Sequence, residues 1–119
     1  MDKFRFLKWK VYNDAKELFY FVLQLVKKLP KEHRFEISSQ IIRSSLSVVL
    51  NIAEGSGKIS DRELNRYFDI ALGSAHETLA VADLLLGAGF ISSKEFDIIY
   101  VKIKVISDQL GGFKKKLDK

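Results

Sequence analysis

The stretch EISSQIIRSSLSVVLNIAEGS, residues 36–56, decides how the chain is read. Wound as a helix of 3.6 residues per turn, it gathers Arg43, Ser44, Ser47, Asn51 and Glu54, with Gln40, into one narrow polar sector. Ile37, Ile41, Ile42, Leu46, Val48, Val49, Leu50, Ile52 and Ala53 spread over about 220° of the remaining surface. A helix on the surface of a single domain needs an apolar stripe of only about 100° or somewhat more. Such a helix is either central in its fold or covered by another copy of the chain. A four-helix bundle has no central helix, so the segment predicts self-association.

The flanking sequence supplies the rest of that bundle. The single proline, Pro30, and glycines at 55/57, 87/89 and 111/112 cut the chain into four pieces of similar length. In the first, Val11, Ala15, Leu18, Val22, Leu25 and Leu29 alternate steps of four and three, the seam of a packed helix. In the third, Leu64, Phe68, Ala71, Ala75, Thr78, Ala82 and Leu85 do the same, and in the fourth Phe96, Ile99, Ile103, Ile106, Leu110, Phe113 and Leu117. Ser60-Asp61-Arg62-Glu63 and Ser92-Ser93-Lys94-Glu95 read as capping boxes that open the third and fourth helices. The expected helices run over about 8–29, 36–56, 61–87 and 93–117, and no segment reads as a strand. Short connections make sequential helices antiparallel neighbours. The predicted fold is all-α: a single domain over 1–119, an up-down-up-down antiparallel four-helix bundle, assembled as a ring-like homo-oligomer. In that topology both termini and the 55–60 turn share one end.

Charge points to the same end. The terminal decapeptides, 1–10 and 110–119, each hold four cations and one anion, +6 together against +5 for the whole chain. The basicity therefore sits in the tails, while the opposite end gathers Lys27, Lys28, Lys31 and Arg34 around Pro30, with Glu32 as the acid among them. With no cysteine, the chain has no disulfide framework and no thiolate chemistry. The opening MDKFRFLKWK lacks the apolar region of a signal peptide, and no run approaches the ~18 uninterrupted apolar residues of a membrane span, so the expectation is a cytoplasmic protein.

The run NIAEGSGK, residues 51–58, resembles a phosphate loop only superficially. A P-loop needs G-x-x-x-x-G-K-[ST] between a strand and a helix; here Ile52 replaces the first glycine, Ile59 replaces the Ser/Thr, and a helix stands in front. A helix C-cap, with Gly55 or Gly57 as the left-handed residue, fits better. Asn51 and Glu54 extend the stripe of Arg43 and Ser47. If helices two and three turn near 58–59, Arg43 lies level with Ser74 and Glu77, and Asn51 and Glu54 near Arg66 and Glu63. Two cross-helix clusters are expected, Arg43 with Glu77 and Glu54/Asn51 with Arg66, and Gly73 would let the backbones approach. This polar seam is read as structural, with a role in fixing subunit register as the sharper alternative and a ligand site as the remaining one.

Nothing else in the chain suggests catalysis, a metal or a cofactor. His33 and His76 are isolated, and His76-Glu77 lacks the second histidine of a zinc helix. Asp61, Glu63, Asp69, Glu77 and Asp83 are spread around their helix and not paired as a magnesium site would have them. Phe4, Phe6 and Trp9, interleaved with Lys3, Arg5, Lys8 and Lys10, have the composition of a single-strand stacking surface or, equally, of a tail packed on the bundle end.

The run SQIIRSSLSVVLNIAEGSGKISDRELNRYFDIALGSAHETL, preceded by LVKKLPKE, resembles the four-helix bundle proteins encoded in intervening sequences of bacterial 23S ribosomal RNA. Gln40 and Arg43, Asn51-Ile52-Ala53-Glu54-Gly55, and Ala71-Leu72-Gly73-Ser74-Ala75 with Glu77 bear most of the resemblance. Val49 stands where that family usually has a proline, which removes the reason for a kink. The resemblance implies a cytosolic up-down bundle, a ring-like homopentamer, and kinship with the accessory variability determinant of diversity-generating retroelements, a nucleic-acid-binding partner of a reverse transcriptase.

The leading expectation is thus a non-enzymatic oligomeric bundle whose basic end binds RNA or DNA phosphates through Lys3, Arg5, Lys8, Lys10, Lys58, Lys114, Lys115 and Lys116. The alternatives are a protein-interaction scaffold for a partner enzyme and, third, a small-molecule enzyme or nucleotide binder.

Overall fold

The computed structural model describes residues 3–117, except for the side chains of His33, Arg34 and Leu117, so the readings made above for those three side chains lie outside the described residues. Among the described residues the chain is all helical, with no strand. A single 3-10 turn, Arg5–Lys8, precedes four helices: α1 (Lys10–Val26), α2 (Lys31–Ser56), α3 (Asp61–Gly87) and α4 (Ser93–Leu117). Each helix packs on the next and α4 returns to α1, while the diagonal pairs α1–α3 and α2–α4 lie farther apart, backbone to backbone; four helices thus enclose one core, as a four-helix bundle does. The particle is elongated, 47 × 23 × 19 Å.

The apolar spacing explains the core. Every α3 position of the seam from Leu64 to Leu85 is buried, as are Val11, Ala15, Leu18, Val22, Leu25 and Leu29 from the first segment. On α4, Ile99, Ile103, Ile106 and Leu110 are buried, with Phe96 and Phe113 packed against them. α3 is, by length and composition alone, apolar enough to cross a membrane; here its seam residues fill the bundle core instead.

α2 begins at Lys31, not near 36. Pro30 occupies its N-cap with φ −57°, and Glu32 places a carboxylate in the first turn, so proline geometry and the helix dipole start the helix before its apolar periodicity does. Its inward face is unusually small and polar: Ser38, Ser44 and Ser45 are buried among Ile41, Val48, Val49 and Ile52. Its other apolar flank is less covered. Leu50 is 54% exposed and Phe35 87%, and Ile42, Leu46 and Ala53 on the same side are only half-buried.

The caps divide differently from the expectation. Ser92 and Glu95 form the full reciprocal box: the Ser92 N–H donates to Glu95 Oε1 at 2.9 Å, and the Glu95 N–H to Ser92 Oγ at 3.1 Å. At α3 the hydroxyl half is present, Glu63 N–H to Ser60 Oγ at 3.2 Å, whereas the Glu63 carboxylate pairs with Arg66. Neither Gly55 nor Gly57 is left-handed: Gly55 lies within α2, and Gly57 caps it at φ −89°. The left-handed glycine is Gly89, at φ 81°, just beyond α3. There Gly89 N–H bonds the Leu86 carbonyl and Phe90 N–H the Leu85 carbonyl, the two bonds of a Schellman motif.

Candidate nucleic-acid interface

Trp9 assembles the basic end. Its ring packs against Phe113 near the end of α4 (centroids 5.4 Å) and Phe68 on α3 (6.1 Å), and those two rings meet edge to face at 5.3 Å. The Arg5 guanidinium lies 5.1 Å over Trp9 while its Nε donates to the Ser56 carbonyl, an unsatisfied acceptor at the C-terminus of α2. Asn13 donates to the carbonyls of Leu7 and Trp9 and ties the 3-10 turn to α1. These contacts bring the N-terminal segment, the α2–α3 turn and the end of α4 together at one end of the bundle, and these are the segments that carry the eight basic residues singled out from the sequence.

The eight are not equivalent. Lys10 pairs with Asp14 at 2.6 Å, Lys58 with Glu54 at 3.9 Å, and Lys114 with Asp69. Lys58 also lies 5.0 Å over the Tyr67 ring, as does Arg66 at 4.8 Å. Lys3, Arg5, Lys8, Lys115 and Lys116 are exposed and have no ion pair among the described residues. Burial pushes the Asp14 carboxyl up, but hydrogen bonds from Lys10 and Gln109 outweigh it and hold the group below its usual value. Asp14 therefore remains a carboxylate that competes with any phosphate for Lys10.

The polar seam is built of hydroxyls and not of the expected charge pairs. Ser47 Oγ and Ser74 Oγ are 2.7 Å apart, and Asn51 Nδ2 donates to the Ser47 carbonyl (2.8 Å) and hydroxyl (3.0 Å). One turn deeper, buried Thr78 donates to Ser44 Oγ at 2.7 Å and also lies 2.9 Å from the Ser74 carbonyl oxygen. Arg43 and Glu77 are both exposed and form no ion pair with each other. Glu54 turns to Lys58 and Arg66 to Glu63, each within a helical turn or so along the chain. Hydroxyls meet along the α2–α3 contact line, and the charged side chains of Glu54 and Arg66 turn from it to local partners four and three residues away. Gly73 takes no part in the approach: a methyl group there would meet nothing within 4 Å. The Ser44–Thr78 link was missed because Thr78 reads as one more seam position; its signal was a hydroxyl-bearing residue facing a helix with three buried serines.

Among the described residues no three His, Cys, Asp or Glu side chains gather as a metal-ligand set. His76 is exposed, with Nδ1 2.8 Å from the Leu72 carbonyl oxygen of its own helix. The geometry defines a four-helix bundle with a closely packed, hydroxyl-linked α2–α3 pair and a cation-rich end.

The profile of the 23S rRNA-intervening sequence proteins matches residues 8–112, and the chain belongs to that family. It is also similar to the crystal structure of a protein of unknown function from the S23 ribosomal protein family of Bacteroides thetaiotaomicron, with a TM-score of 0.82 and 27% identity over 88% of this chain and 98% of that one. No curated protein matches it in sequence.

Proposed function

We propose that this chain is a non-enzymatic, cytoplasmic, up-down-up-down antiparallel bundle that self-associates and binds the phosphate backbone of RNA or DNA through its Trp9-centred basic end. The carrying observation is that five exposed cations on that end, Lys3, Arg5, Lys8, Lys115 and Lys116, lack an internal counter-ion among the described residues. Such charges release condensed counterions when they meet phosphates. The antiparallel order is supported by contact register: residue numbers fall on α3 as they rise on α2 (Ser44 with Thr78, Ser47 with Ser74), and likewise on α4 against α1 and the turn after it (Asp14 with Gln109, Lys28 with Glu95). The exposed flank of Phe35, Ile42, Leu46, Leu50 and Ala53 supports self-association, with five copies in a ring as the family resemblance implies.

Binding of a labelled RNA, measured by anisotropy across a salt series, tests the function. A steep loss of affinity with salt, and competition by unlabelled RNA, are the expected results. Affinity that is flat with salt and insensitive to competitor removes the proposal. The native mass of the particle tests the assembly.

A second reading is favoured by the groove between α2 and α3 at the other end, lined by Ile37, Val81, Leu84, Leu85, Ala88 and Phe90, with Leu84 71% exposed. An apolar groove of this kind suits a scaffold that docks a partner protein. Partner capture that survives nuclease treatment would favour it.

A further inference from the structure

Unpaired nucleic acid is held chiefly by aromatic rings on which bases stack, alongside cations that track the backbone. The basic end has the rings, but most already have neighbours. Trp9 is half-buried, with Arg5 over its ring and Phe68 and Phe113 packed on it. Phe6 meets Tyr12 edge-on at 4.9 Å, and Lys16 lies 5.2 Å over Tyr12. Tyr67 has Lys58 and Arg66 over its ring. Phe4, at 56% exposure, is the one aromatic of the segment that stands mostly in solvent. Phe4 apart, the rings are fasteners for the turn and tails, and Lys3, Arg5, Lys8, Lys115 and Lys116 stand exposed, as do the non-aromatic Leu7 and Ile59.

From this arrangement we infer that the basic end takes paired strands, the dense phosphates of a duplex, in preference to unpaired bases. The inference rests on the nucleic-acid reading above. A duplex presents one phosphate charge per about 1.7 Å of axis, about twice the density of either strand alone. The particle is 23 × 19 Å in cross-section, and its basic end carries five cations without an ion pair among the described residues. Counterion release gives a slope of about −0.9 per contact on a B-form duplex and about −0.7 on a single strand. For five contacts and equal affinity extrapolated to 1 M salt, that difference amounts to about tenfold tighter duplex binding at about 0.1 M.

The test titrates the full chain with DNA and RNA 20-mers, each as a duplex and as a single strand, and follows anisotropy together with the emission of Trp9, the sole tryptophan. The expected result is tighter binding to duplexes of either sugar, with Trp9 emission little changed and Phe4→Ala without effect on duplex affinity. Equal or tighter single-strand binding, or strong saturable quenching of Trp9 by the single strand, overturns the inference while leaving nucleic-acid binding intact. Absence of binding to all four probes removes the nucleic-acid reading and this inference with it.

Discussion

Gly55 of α2 lies directly against Tyr67 of α3: a methyl group at position 55 would stand 3.0 Å from Tyr67 Cβ and 3.2 Å from Leu64 Cδ1. The glycine ahead of the turn thus serves closeness and not a left-handed cap. The approach has a consequence for the basic end, because it sets Tyr67 within reach of Lys58, whose ammonium lies 5.0 Å over the ring.

Gly55→Ala should therefore destabilise the fold. The added methyl meets the base of a side chain, which cannot swing away, so α2 and α3 must separate, at a cost of about 1–3 kcal/mol that outweighs the gain in helix propensity. Gly73→Ala is the opposite case: exposed, mid-helix and with nothing within 4 Å, it should stabilise by about 0.5–1 kcal/mol. Urea unfolding of the two variants should move the midpoint in opposite directions. A common sign would contradict the close-approach account.

The buried Thr78–Ser44 hydrogen bond makes a second energetic claim. Thr78→Val keeps the shape of the side chain and removes its hydroxyl, stripping Ser44 Oγ of a buried donor, and should cost about 1–2 kcal/mol. Ser44→Ala leaves the Thr78 hydroxyl facing the Ser74 carbonyl oxygen and should cost less. In the double variant no hydroxyl is stranded, so the two losses should fall short of additive by about 0.5 kcal/mol or more in a double-mutant cycle. Strict additivity would mean that the two hydroxyls do not interact.

The seams of α1 and α3 were legible because apolar spacing is a local property, and a helix that repeats every three or four residues can bury only that face. The level at which α2 and α3 residues meet is about one helical turn from the expected one: Ser74 faces Ser47 and not Arg43, and Gly55 faces Tyr67. Nor does the sequence give the rotation of each helix about its axis. Arg43 and Glu77 share a level but flank the contact line, whereas Ser47 and Ser74 lie on it. Gly55 and Gly73 are likewise identical letters in helical segments, and only the distance to the neighbouring helix tells the close-approach glycine from the exposed one. The cationic character of the basic end was readable from composition, and the spacing of Lys10–Asp14 and Lys58–Glu54 is that of local helical pairs; the pairing of Lys114 was not readable, because Asp69 reaches it only through the fold.

Acid should loosen the bundle through two carboxylates. At Glu95 the Ser92 N–H bond lowers the pKa, burial opposes it, and Lys28, 3.2 Å away, lowers it further, for a net depression. Asp14 is also depressed, as described above. A carboxyl with a lowered folded-state pKa adds stability that is complete above its unfolded value and is lost as pH falls through the folded one. The ordinary values are 4.5 for Glu95 and 3.8 for Asp14, so stability should decline below about pH 4.5. Glu95→Gln keeps an acceptor for the Ser92 cap but cannot titrate, and Asp14→Asn likewise removes the charge. Denaturant midpoints between neutral pH and strong acid should fall less steeply for these variants than for the parent chain. Parallel curves would assign the acid sensitivity elsewhere.

The ion pairs at the basic end predict which substitutions strengthen nucleic-acid binding. Lys115→Ala and Lys116→Ala each remove an unneutralised cation, so each should reduce the salt slope by about 0.9 and weaken binding to every sequence alike. Lys10→Ala should reduce it by less, since that ammonium is already held by Asp14 at 2.6 Å. Asp69→Asn acts in the other direction. It releases Lys114 from its partner and removes a negative charge beside the phosphates, at a cost in stability below about 1 kcal/mol because the pair is exposed on the aspartate side. One further contact should steepen the slope by about 0.9, which is about eightfold tighter binding at about 0.1 M salt. Salt-series anisotropy on one duplex measures all of these, and weakened binding by Asp69→Asn would show that Lys114 does not face the nucleic acid.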